Sequence, residues 1–587
     1  MSHTAKNYAN LDFPLNVFAY CLCMQEGQVD YLHYGLFNKD ESIQDAKVAQ
    51  QRATDFLLAK LPKPCRILEI GVGLGTTASQ LAKLGYMVTA ISPDQKQIAI
   101  AKNNVTDKVK LECTTLEEFT APDNSFDVIL LQESAQYLNI LALFNKVHGL
   151  LTSNGLVFIA DEIGLRRTET DAPNELPLLD YTIAQAQRCG FKLTEQVDLS
   201  KQAAPSVDYL LWVIAKYRTN ILLDLQLEFS ILTELETALQ KYQQKYLAGN
   251  YGYVFLQFTK TIDPRWQINI ITAQDSPAAC NLFNEVFAPK IMTPEFWHWK
   301  YGDNRGLCTA AWHDNKMVGY FGGIKKEIRY FGQPKFAVQL ADVMVSRQER
   351  AVLTKHSALF LIETTFLENN IGYGANTLIG YGFPNEAHLK VAKRLGLLGV
   401  YDAIGRKIVE LGWPTVAGKA KLWTRIRHLQ PDQPEQNKQI IDKLWQQMQI
   451  SLQHAIVGIH SWEHIQYRYI LHPHHKYELL LVTRRFTGQA LGVAIIYRQE
   501  DICHIRDFIG NIKHVPEVIQ QIRRIAGNWG MRQVQSWITD NFLKTFPTSE
   551  IEIKDMAYIP HNTWSKHLPP ETEEGHWWLM SGDTDFL

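Results

Sequence analysis

Short apolar runs alternate with helix-like segments along the first part of the chain. In the helix-like segments apolar residues recur every three or four positions, the period of an amphipathic helix. Five runs are short and apolar enough for strands buried on both faces: 66–70, 87–91, 109–112, 126–131 and 155–160. Such alternation predicts a parallel sheet with right-handed crossovers. A polar phrase follows each run, so the pattern predicts an α/β unit with a ligand site at the carboxyl ends of its strands.

The pattern of elements changes near residue 260. A strand over 190–199, a long helix over 221–247 and a last strand beginning near Tyr251 are predicted to close the first unit as a hairpin. Beyond Ile268 the order differs, with a strand over 341–346 and a helix over 354–368. We therefore expect the first domain to end at residue 262.

A weak repeat divides the remainder of the chain. The phrase Trp299-Lys300-Tyr301, followed by a turn at 316–319, recurs as Tyr467-Arg468-Tyr469 with a turn at 489–492. The Pro-containing segment 431–436 separates the two copies and reads as a linker. The repeat predicts an α+β domain over 263–430 and a second, degenerate copy of it over 431–587.

Composition narrows the classes of function. The net charge of −2 and the pI near 6.8 give no basic field for nucleic acid. The eight cysteines form no C-x-x-C pair, which favours reduced thiols and a cytoplasmic location. The apolar stretch 18–24 is too short to span a bilayer, so no integral membrane segment is expected. A small-molecule substrate is the expected partner, and the oligomeric state is left open.

The most informative stretch is 66–77, where an apolar run ends at Glu69-Ile70 and three alternating glycines follow. Glycines there allow a tight turn and the close approach of a ligand, and the next helix offers free N–H groups. Gly73 to Ala78 also fits the dinucleotide pattern G-x-G-x-x-A. A carboxylate beside a pyrophosphate would be repelled, which weighs against a dinucleotide. A strand, turn and helix without any ligand is the third alternative.

The run from Glu69 to Gly75 resembles the E-x-G-x-G-x-G motif of class I S-adenosylmethionine (SAM) methyltransferases. The phrase His33-Tyr34-Gly35-Leu36-Phe37 resembles the N-terminal cover of their cyclopropane-synthase-like, small-molecule branch. Together the resemblances cover about residues 31–161. They imply a Rossmann-like methyltransferase domain over 1–262 with SAM as its cofactor.

The same resemblance implies a set of cofactor contacts at the strand ends. These are Tyr31, Glu69, Gly71, Gly73, Gly75, Thr76, Ser92, Gln95, Thr115, Leu116, Glu117 and Gln132. Most members carry an acid two residues before the serine of the second strand, and here that residue is Ala90. The ribose contact therefore falls to Ser92, Asp94 or Gln95.

The candidate catalytic residues are Glu133, Tyr137 and His33, placed by the resemblance around the transferred methyl group. Cyclopropane synthases carry a glutamate where this chain has Gln136, so cyclopropanation is not expected. A nitrogen, oxygen or carbon acceptor is left open. No metal site is expected, because the histidines at 472–475 have no carboxylate or thiolate partners nearby in sequence.

Residues 268–409 resemble the GNAT acyltransferase superfamily through the phrase at 296–301 and Gly382-Phe383-Pro384-Asn385. That resemblance implies acetyl-CoA as a second candidate cofactor. The superfamily binds the pyrophosphate on a glycine-bearing loop, and this chain has Ala351-Val352-Leu353 there. Side chains in that loop hinder its backbone N–H groups from converging on a phosphate. We expect the GNAT-like region to assist substrate binding; the alternative is a bifunctional enzyme that methylates and N-acylates one metabolite.

Overall fold

The structure is a computed structural model of the chain. It describes residues 8–168, 171, 175–350, 354–384, 390–391, 394–395, 406–419, 421–430, 432–547, 549, 551–559, 561–562 and 575–584. The chain divides into two compact units, Met1–Ile268 and Asn269–Leu587. The division falls inside a short strand, β8, which spans Gln267–Ile270.

The first unit is a seven-stranded sheet covered by helices. Its strands are β1 Arg66–Ile70, β2 Met87–Ser92, β3 Val109–Cys113, β4 Phe126–Gln132, β5 Leu151–Gly164, β6 Phe191–Asp198 and β7 Tyr251–Lys260. The helices described with them are α1 Leu15–Glu26, α2 Ala46–Lys60, α3 Thr76–Lys83, α4 Gln95–Asn104, α5 Ile140–Leu150, α6 Leu179–Arg188, α7 Ser200–Ala203, α8 Pro205–Asp224 and α9 Phe229–Leu247.

The strand order is β3-β2-β1-β4-β5-β7-β6. Strands β1 to β5 are parallel, and β7 runs antiparallel to both of its neighbours, β5 and β6. The order reverses between β1 and β4, which places a crevice at their carboxyl ends. The predicted Rossmann-like sheet and the closing hairpin are both confirmed. All five predicted parallel strands form; β1, β2, β4 and β5 are largely buried, whereas β3, at the edge of the sheet, is only partly buried.

The predicted helix over 221–247 is wrong in one respect: the structure has two helices there. Helix α8 ends at Asp224 and α9 begins at Phe229. Gln226, between them, adopts a φ of +53°, which an α-helix does not tolerate. Apolar residues continue across the break because both helices pack into one cluster with α1. Periodicity alone therefore could not locate the turn.

The second unit contains two mixed sheets. Its strands are β9 Gly306–His313, β10 Lys316–Tyr330, β11 Gln333–Val345, β12 Ile379–Gly382, β13 Arg406–Pro414, β14 Thr424–His428, β15 Ile456–Gly458, β16 Glu478–Arg484, β17 Ala490–Gln499, β18 Ile502–Ile509, β19 Gln533–Thr539, β20 Glu552–Ile559, β21 His561–Asn562 and β22 Trp577–Trp578. The helices described there are α10 Ser276–Val286, α11 Pro294–Tyr301, α12 Ala358–Asn370, α13 Pro434–Ser451, α14 Trp462–Ile465 and α15 Val515–Asn528.

The element order of the second unit repeats, as the sequence phrases predict. In the first copy α11 precedes three antiparallel strands, β9 to β11, and α12 leads to β12, which is parallel to β11. In the second copy α14 precedes antiparallel β16 to β18, and α15 leads to β19, which is parallel to β18. The relation of these copies to the GNAT superfamily stays a prediction.

The two sheets of the second unit exchange strands. Strands β13 and β14 precede the linker at 431–436 and lie in the sheet of the second copy, in the order β14-β16-β17-β18-β19-β13-β20. Strands β15 and β22 follow that linker and lie in the sheet of the first copy. The predicted boundary at 430/431 therefore does not coincide with a division between sheets, and the three-domain division stays a prediction.

Some sequence predictions fall on residues that the structure does not describe. Ala351, Val352 and Leu353 of the expected coenzyme loop lie outside the described residues, as does Asn385. Among the described residues, no helix is both long and apolar enough to cross a membrane. No group of three or more His, Cys, Asp or Glu side chains in the described ranges is placed to hold a metal ion. The eight cysteines, all of them described, are free thiols.

Leu57→Ala is expected to lower the free energy of unfolding by about 2–5 kcal/mol, because Leu57 is fully buried between α2 and the sheet. Leu223→Ala, at a residue of α8 that is 72% exposed, should change it by less than about 0.5 kcal/mol. Urea unfolding of the full chain, followed by circular dichroism, measures both. Equal effects of the two changes would contradict this assignment of the core.

Candidate functional site

The carboxyl end of β1 runs into the glycine loop, residues 71–75. Gly73 has a φ of +53°, and no heavy atom lies within 4 Å of the position that a Cβ would occupy. Gly71 is packed in the opposite way, since a Cβ there would come within 2.5 Å of the Ser134 Cβ. The loop is therefore fixed on one side by the 132–137 loop and faces open space on the other. That open space is what a bound ligand would need.

Two polar side chains at adjacent strand ends have buried atoms without partners. Glu69 on β1 pairs in register with Leu130 on β4, and Gln132 ends β4 two residues later. Glu69 Oε2 and Gln132 Nε2 are both buried without a hydrogen-bond partner. Burial raises the pKa of the Glu69 carboxyl to about 8. A buried acceptor and a buried donor left unpaired are costly, so this pair marks a ligand position.

The next two strand ends supply the other predicted cofactor residues. Ser92 ends β2 and accepts a hydrogen bond from the Asp94 N–H at 3.2 Å, and Asp94 in turn caps α4. Gln95 is exposed at the start of that helix. After β3, the Thr115 hydroxyl accepts from the Glu118 N–H at 3.2 Å, with Leu116 buried and Glu117 exposed. These residues lie along the same edge of the sheet as the glycine loop.

The cover segment, residues 30–34, is anchored beside the glycine loop. The Tyr31 hydroxyl donates to Gln51 Oε1 at 2.9 Å and accepts from Gln80 Nε2 at 2.6 Å. The Thr76 hydroxyl donates to the Asp30 carbonyl. These bonds join the segment to α2 and α3, so it closes over the start of α3.

His33 is held by this scaffold through both ring nitrogens. Nδ1 lies 2.8 Å from the Tyr34 carbonyl oxygen and Nε2 lies 3.0 Å from the Thr54 hydroxyl. Burial lowers the pKa of His33 to about 4, so the ring is neutral at physiological pH. In this geometry His33 orients the cover segment and has no nitrogen left for a substrate proton.

Three carboxylates are buried together where β4 and β5 end. Glu133 has a φ of +54°, and its Oε1 accepts from the Tyr34 N–H at 2.6 Å. Asp161 Oδ2 accepts from the N–H groups of Ala135 and Gln136 at 2.7 and 3.2 Å. Glu162 Oε1 accepts from the Tyr246 hydroxyl at 2.8 Å. We call Glu133, Asp161 and Glu162 the acidic cluster.

Tyrosines surround the acidic cluster. The Tyr253 hydroxyl donates to the Ala160 carbonyl at 3.5 Å, and Tyr253 and Tyr34 lie close enough to Glu133 and Glu162 respectively to influence the pKa of those carboxyls. The rings of Tyr34 and Tyr253 stack with centroids 6.3 Å apart. Tyr137, 79% exposed, stands at the outer side of the same loop. The cluster is thus enclosed by aromatic rings from the cover segment, from α9 and from β7.

Burial dominates the electrostatics of the acidic cluster. It raises the pKa of Asp161 to about 7 and that of Glu162 to about 8, and neighbouring Asp161 adds to the effect on Glu162. Burial, followed by repulsion from Glu162 and Asp161, raises the pKa of Glu133 well above its ordinary value. Within the described residues, no lysine or arginine forms an ion pair with any of the three. The site therefore concentrates carboxyl groups without a countercharge.

The sequence analysis named only Glu133 from the acidic cluster. Asp161 and Glu162 directly follow the strand predicted over 155–160, and this position at a strand end is the sequence signal for them. Tyr246 and Tyr253 lie more than eighty residues away in the chain and reach the site through the hairpin formed by β7. In the sequence, the feature that points to these two tyrosines is the aromatic run at 246–253.

Comparison with known proteins finds a match within the first unit. Residues 68–159 match the family described as "Methyltransferase domain". This part of the chain is similar to the methyltransferase domain. The match runs from within β1 into β5 and includes the glycine loop and Glu133, whereas Asp161 and Glu162 lie just beyond it. It supports SAM as the cofactor and does not bear on acetyl-CoA.

Relatives of known name match part of the chain. A ubiquinone biosynthesis O-methyltransferase of Bradyrhizobium diazoefficiens is 35% identical over 100 residues, which is 16% of this chain and 39% of that protein. The protein of the same name from Methylocella silvestris is 33% identical over 134 residues, covering 22% and 51%. The chain thus spans about half, or less, of the length of these relatives.

A cyclopropane synthase of Mycobacterium tuberculosis overlaps 44% of this chain and 97% of its own, at 16% identity and a TM-score of 0.37. At that TM-score the overlap is too slight to bear on fold or function.

Glu69→Gln is expected to raise the melting temperature of the ligand-free protein, more at pH 8 than at pH 5. The folded pKa of Glu69 lies above the ordinary value, so the folded state binds its proton more tightly than the unfolded chain. This tighter proton binding adds to the free energy of unfolding at low pH, and the added part is lost as pH rises from about 4.5 towards about 8. An amide does not titrate, so the variant escapes this loss.

Scanning calorimetry at the two pH values measures the difference. Glu118→Gln, at an exposed acid of the same domain, is the matched control and should show no such trend. A melting-temperature difference for Glu69→Gln that is independent of pH would show that the carboxyl is not desolvated.

Proposed function

We propose that the methyltransferase domain transfers a methyl group from SAM to a small-molecule amine. The observation that carries the proposal is the placement of two polar sets on one sheet edge. The first is the open glycine loop with the unpartnered atoms of Glu69 and Gln132. The second is the acidic cluster, joined to that loop because the Ser134 hydroxyl donates to the Ile70 carbonyl at 2.6 Å.

The chemistry of the unpartnered atoms fits the methionine part of SAM. An ammonium group would donate to Glu69 Oε2, and a carboxylate would accept from Gln132 Nε2. Gly73 leaves room for the ligand, and the N–H groups at the start of α3 face the loop. When bound there, SAM supplies an electrophilic methyl group, so the protein's remaining task is to place an acceptor and remove its proton.

The acidic cluster favours a cationic acceptor. Carboxylates buried without countercharge are unstable as ions, and an ammonium group entering among them supplies that countercharge. The rings of Tyr34, Tyr246 and Tyr253 border the same space, and aromatic faces attract ammonium groups. A phenol or a carbon acid would gain neither interaction.

The residues around the acceptor have separate proposed roles. An amine must lose a proton before its nitrogen can attack, and Glu133 is the candidate base because burial raises its pKa well above that of an ordinary carboxyl, which makes its carboxylate a stronger base. Glu162, hydrogen-bonded to Tyr246, would hold the ammonium group. Asp161 is a positioning residue, since it binds the backbone of the 135–136 turn. Exposed Tyr137 would cover the acceptor from the outer side.

An oxygen acceptor is the second candidate, because the matched relatives are named as O-methyltransferases. The proposal that the second unit assists substrate binding, and its alternative of N-acylation with acetyl-CoA, depend on the loop at 351–353. That loop lies outside the described residues. Beside it, Arg350 Nε donates to the Val345 carbonyl at 2.8 Å, so this donor is engaged within the protein.

Calorimetric titration of the full chain should show saturable binding of S-adenosylhomocysteine and none of NAD. Gly73→Val should weaken that binding at least about 100-fold, because its side chain enters ligand space. Gly27→Val is the matched control: Gly27 also has a positive φ, +80°, and open space at its Cβ position, but it lies at the end of α1. Preferential binding of NAD would overturn the cofactor assignment.

Acceptor preference is tested by incubating the full chain with isotope-labelled SAM and matched amines, phenols and carboxylic acids. Labelled methyl should appear on amines. Glu133→Gln should lower kcat by about 100-fold or more with S-adenosylhomocysteine affinity retained, and Glu162→Gln should chiefly raise KM for the amine. The exposed change Glu118→Gln should alter neither. Label on phenols alone would replace the amine by an oxygen acceptor and leave the cofactor assignment standing.

A further inference from the structure

The second unit encloses a cavity of about 250 Å³ that is independent of the methyltransferase domain's site. One wall is formed by the stretch 324–327 of β10 and by Gln339 of β11. The segment after β15 lies beside β10, since the Ile459 N–H donates to the Glu327 carbonyl at 3.3 Å, and the helical turn at 464–468 adds to the lining. Asp583 and Thr584, near the end of the chain, close one side. Both copies of the repeat therefore contribute to it.

Positive charge predominates in this cavity. Its lining includes five cationic and two acidic side chains: Lys300, Arg305, Lys325, Lys326, Arg468, Glu327 and Asp583. Glu327 is paired with Arg329 at 2.8 Å, and Asp583 Oδ2 accepts from the Met580 N–H at 2.9 Å. Lys300 is itself paired with Asp342 at 2.7 Å and Asp583 attracts Lys326, so Arg305 and Arg468 are the cations that an anion would meet.

Arg468 is buried and is held by uncharged groups. Its Nε donates to the Gly582 carbonyl at 3.1 Å and its Nη2 to the Thr584 carbonyl at 2.6 Å. A buried cation that meets only carbonyl dipoles lacks a full countercharge, and an anion in the cavity would provide it.

Arg305 supplies a donor that the protein leaves unused. Its Nη1 pairs with Asp303 at 3.0 Å and its Nη2 donates to the Trp299 carbonyl at 3.1 Å, whereas its Nε is buried with no partner. The guanidinium lies 4.5 Å from the centroid of the Tyr467 ring. An unsatisfied buried N–H next to a cavity is a ligand-binding feature.

The aromatic wall of the cavity is rigid. Trp299 and Tyr467 stack with centroids 5.3 Å apart. Trp299 Nε1 donates to the Tyr467 carbonyl at 3.2 Å, and the Tyr467 hydroxyl donates to the Trp299 carbonyl at 3.0 Å. Trp299 and Tyr467 begin the two repeated sequence phrases, so the two copies of the repeat meet at this wall.

We propose that this cavity binds a small organic anion, a carboxylate or phosphate ester whose charged group meets Arg305 and Arg468 and whose apolar part lies against Trp299 and Tyr467. Size limits the ligand, because a cavity of about 150 Å³ holds benzene and pockets for coenzyme-sized molecules are larger. The cavity accommodates a substituted ring or a short-chain acid and is too small for acetyl-CoA. His464 lines it as a neutral imidazole, since burial lowers its pKa to about 3, and offers the ligand a hydrogen bond.

The test titrates the full chain with benzoate, phenyl phosphate and benzylamine, followed by calorimetry and by ligand-observed NMR. The two anions should bind saturably with Kd at or below about 10 mM, and benzylamine should not compete with them. Tighter binding of benzoate identifies a carboxylic acid as the ligand class, and tighter binding of phenyl phosphate identifies a phosphate ester.

Arg305→Gln should weaken anion binding about tenfold, and Arg305→Lys should weaken it less because it keeps the charge. Arg498→Gln is the matched control: Arg498 also pairs with a carboxylate, Glu478, and lies 4.8 Å from an aromatic centroid, that of Trp529. It should leave anion binding unchanged. Failure of both anions to bind in this range overturns the proposal, as does binding that Arg305→Gln and Arg498→Gln affect equally. Neither result bears on methyl transfer.

Discussion

Asp161 is the residue on which the geometry of the methyltransferase site depends. From the end region of β5 it accepts hydrogen bonds from the N–H groups of Ala135 and Gln136, and so fixes the turn after β4. That turn holds Glu133 in a left-handed backbone conformation and packs Ser134 against Gly71. One buried carboxylate thereby joins the glycine loop to the acidic cluster. The cofactor and acceptor regions share a single rigid edge.

This arrangement is costly in the ligand-free protein. Glu69, Asp161 and Glu162 all have carboxyl pKa values raised by burial, to about 8, 7 and 8. Each would be more stable as an exposed carboxylate, and a fold selected for stability alone would place apolar residues there. Perturbed titratable groups that gather at the switch point of a parallel sheet are typical of a functional site. Their destabilising effect is one that bound ligands would offset.

In the second unit, each of the two copies of the repeat depends on the other to complete its sheet. Because β13 and β14 lie in the sheet of the second copy and β15 and β22 in that of the first, neither copy completes its sheet alone. Trp578 is fully buried in the core of the second copy although its strand pairs with β15. The two copies are therefore expected to fold as one cooperative unit, with the cationic cavity enclosed between their walls.

The sequence by itself determined the parallel strands of the first unit, the glycine loop, and the repeat at 299 and 467. These features are local: strand burial, backbone freedom and recurring phrases are written in consecutive residues. Tertiary structure alone decided that Tyr246 lies at Glu162 and that Tyr253 lies near Glu133. It also decided that both ring nitrogens of His33 are hydrogen-bonded within the scaffold. The placement of β13 and β15 in the sheet of the other copy is likewise a tertiary feature. Such contacts join residues tens to hundreds of positions apart. Periodicity shows that a side chain is buried but not which distant partner buries it, because many pairings satisfy the same pattern.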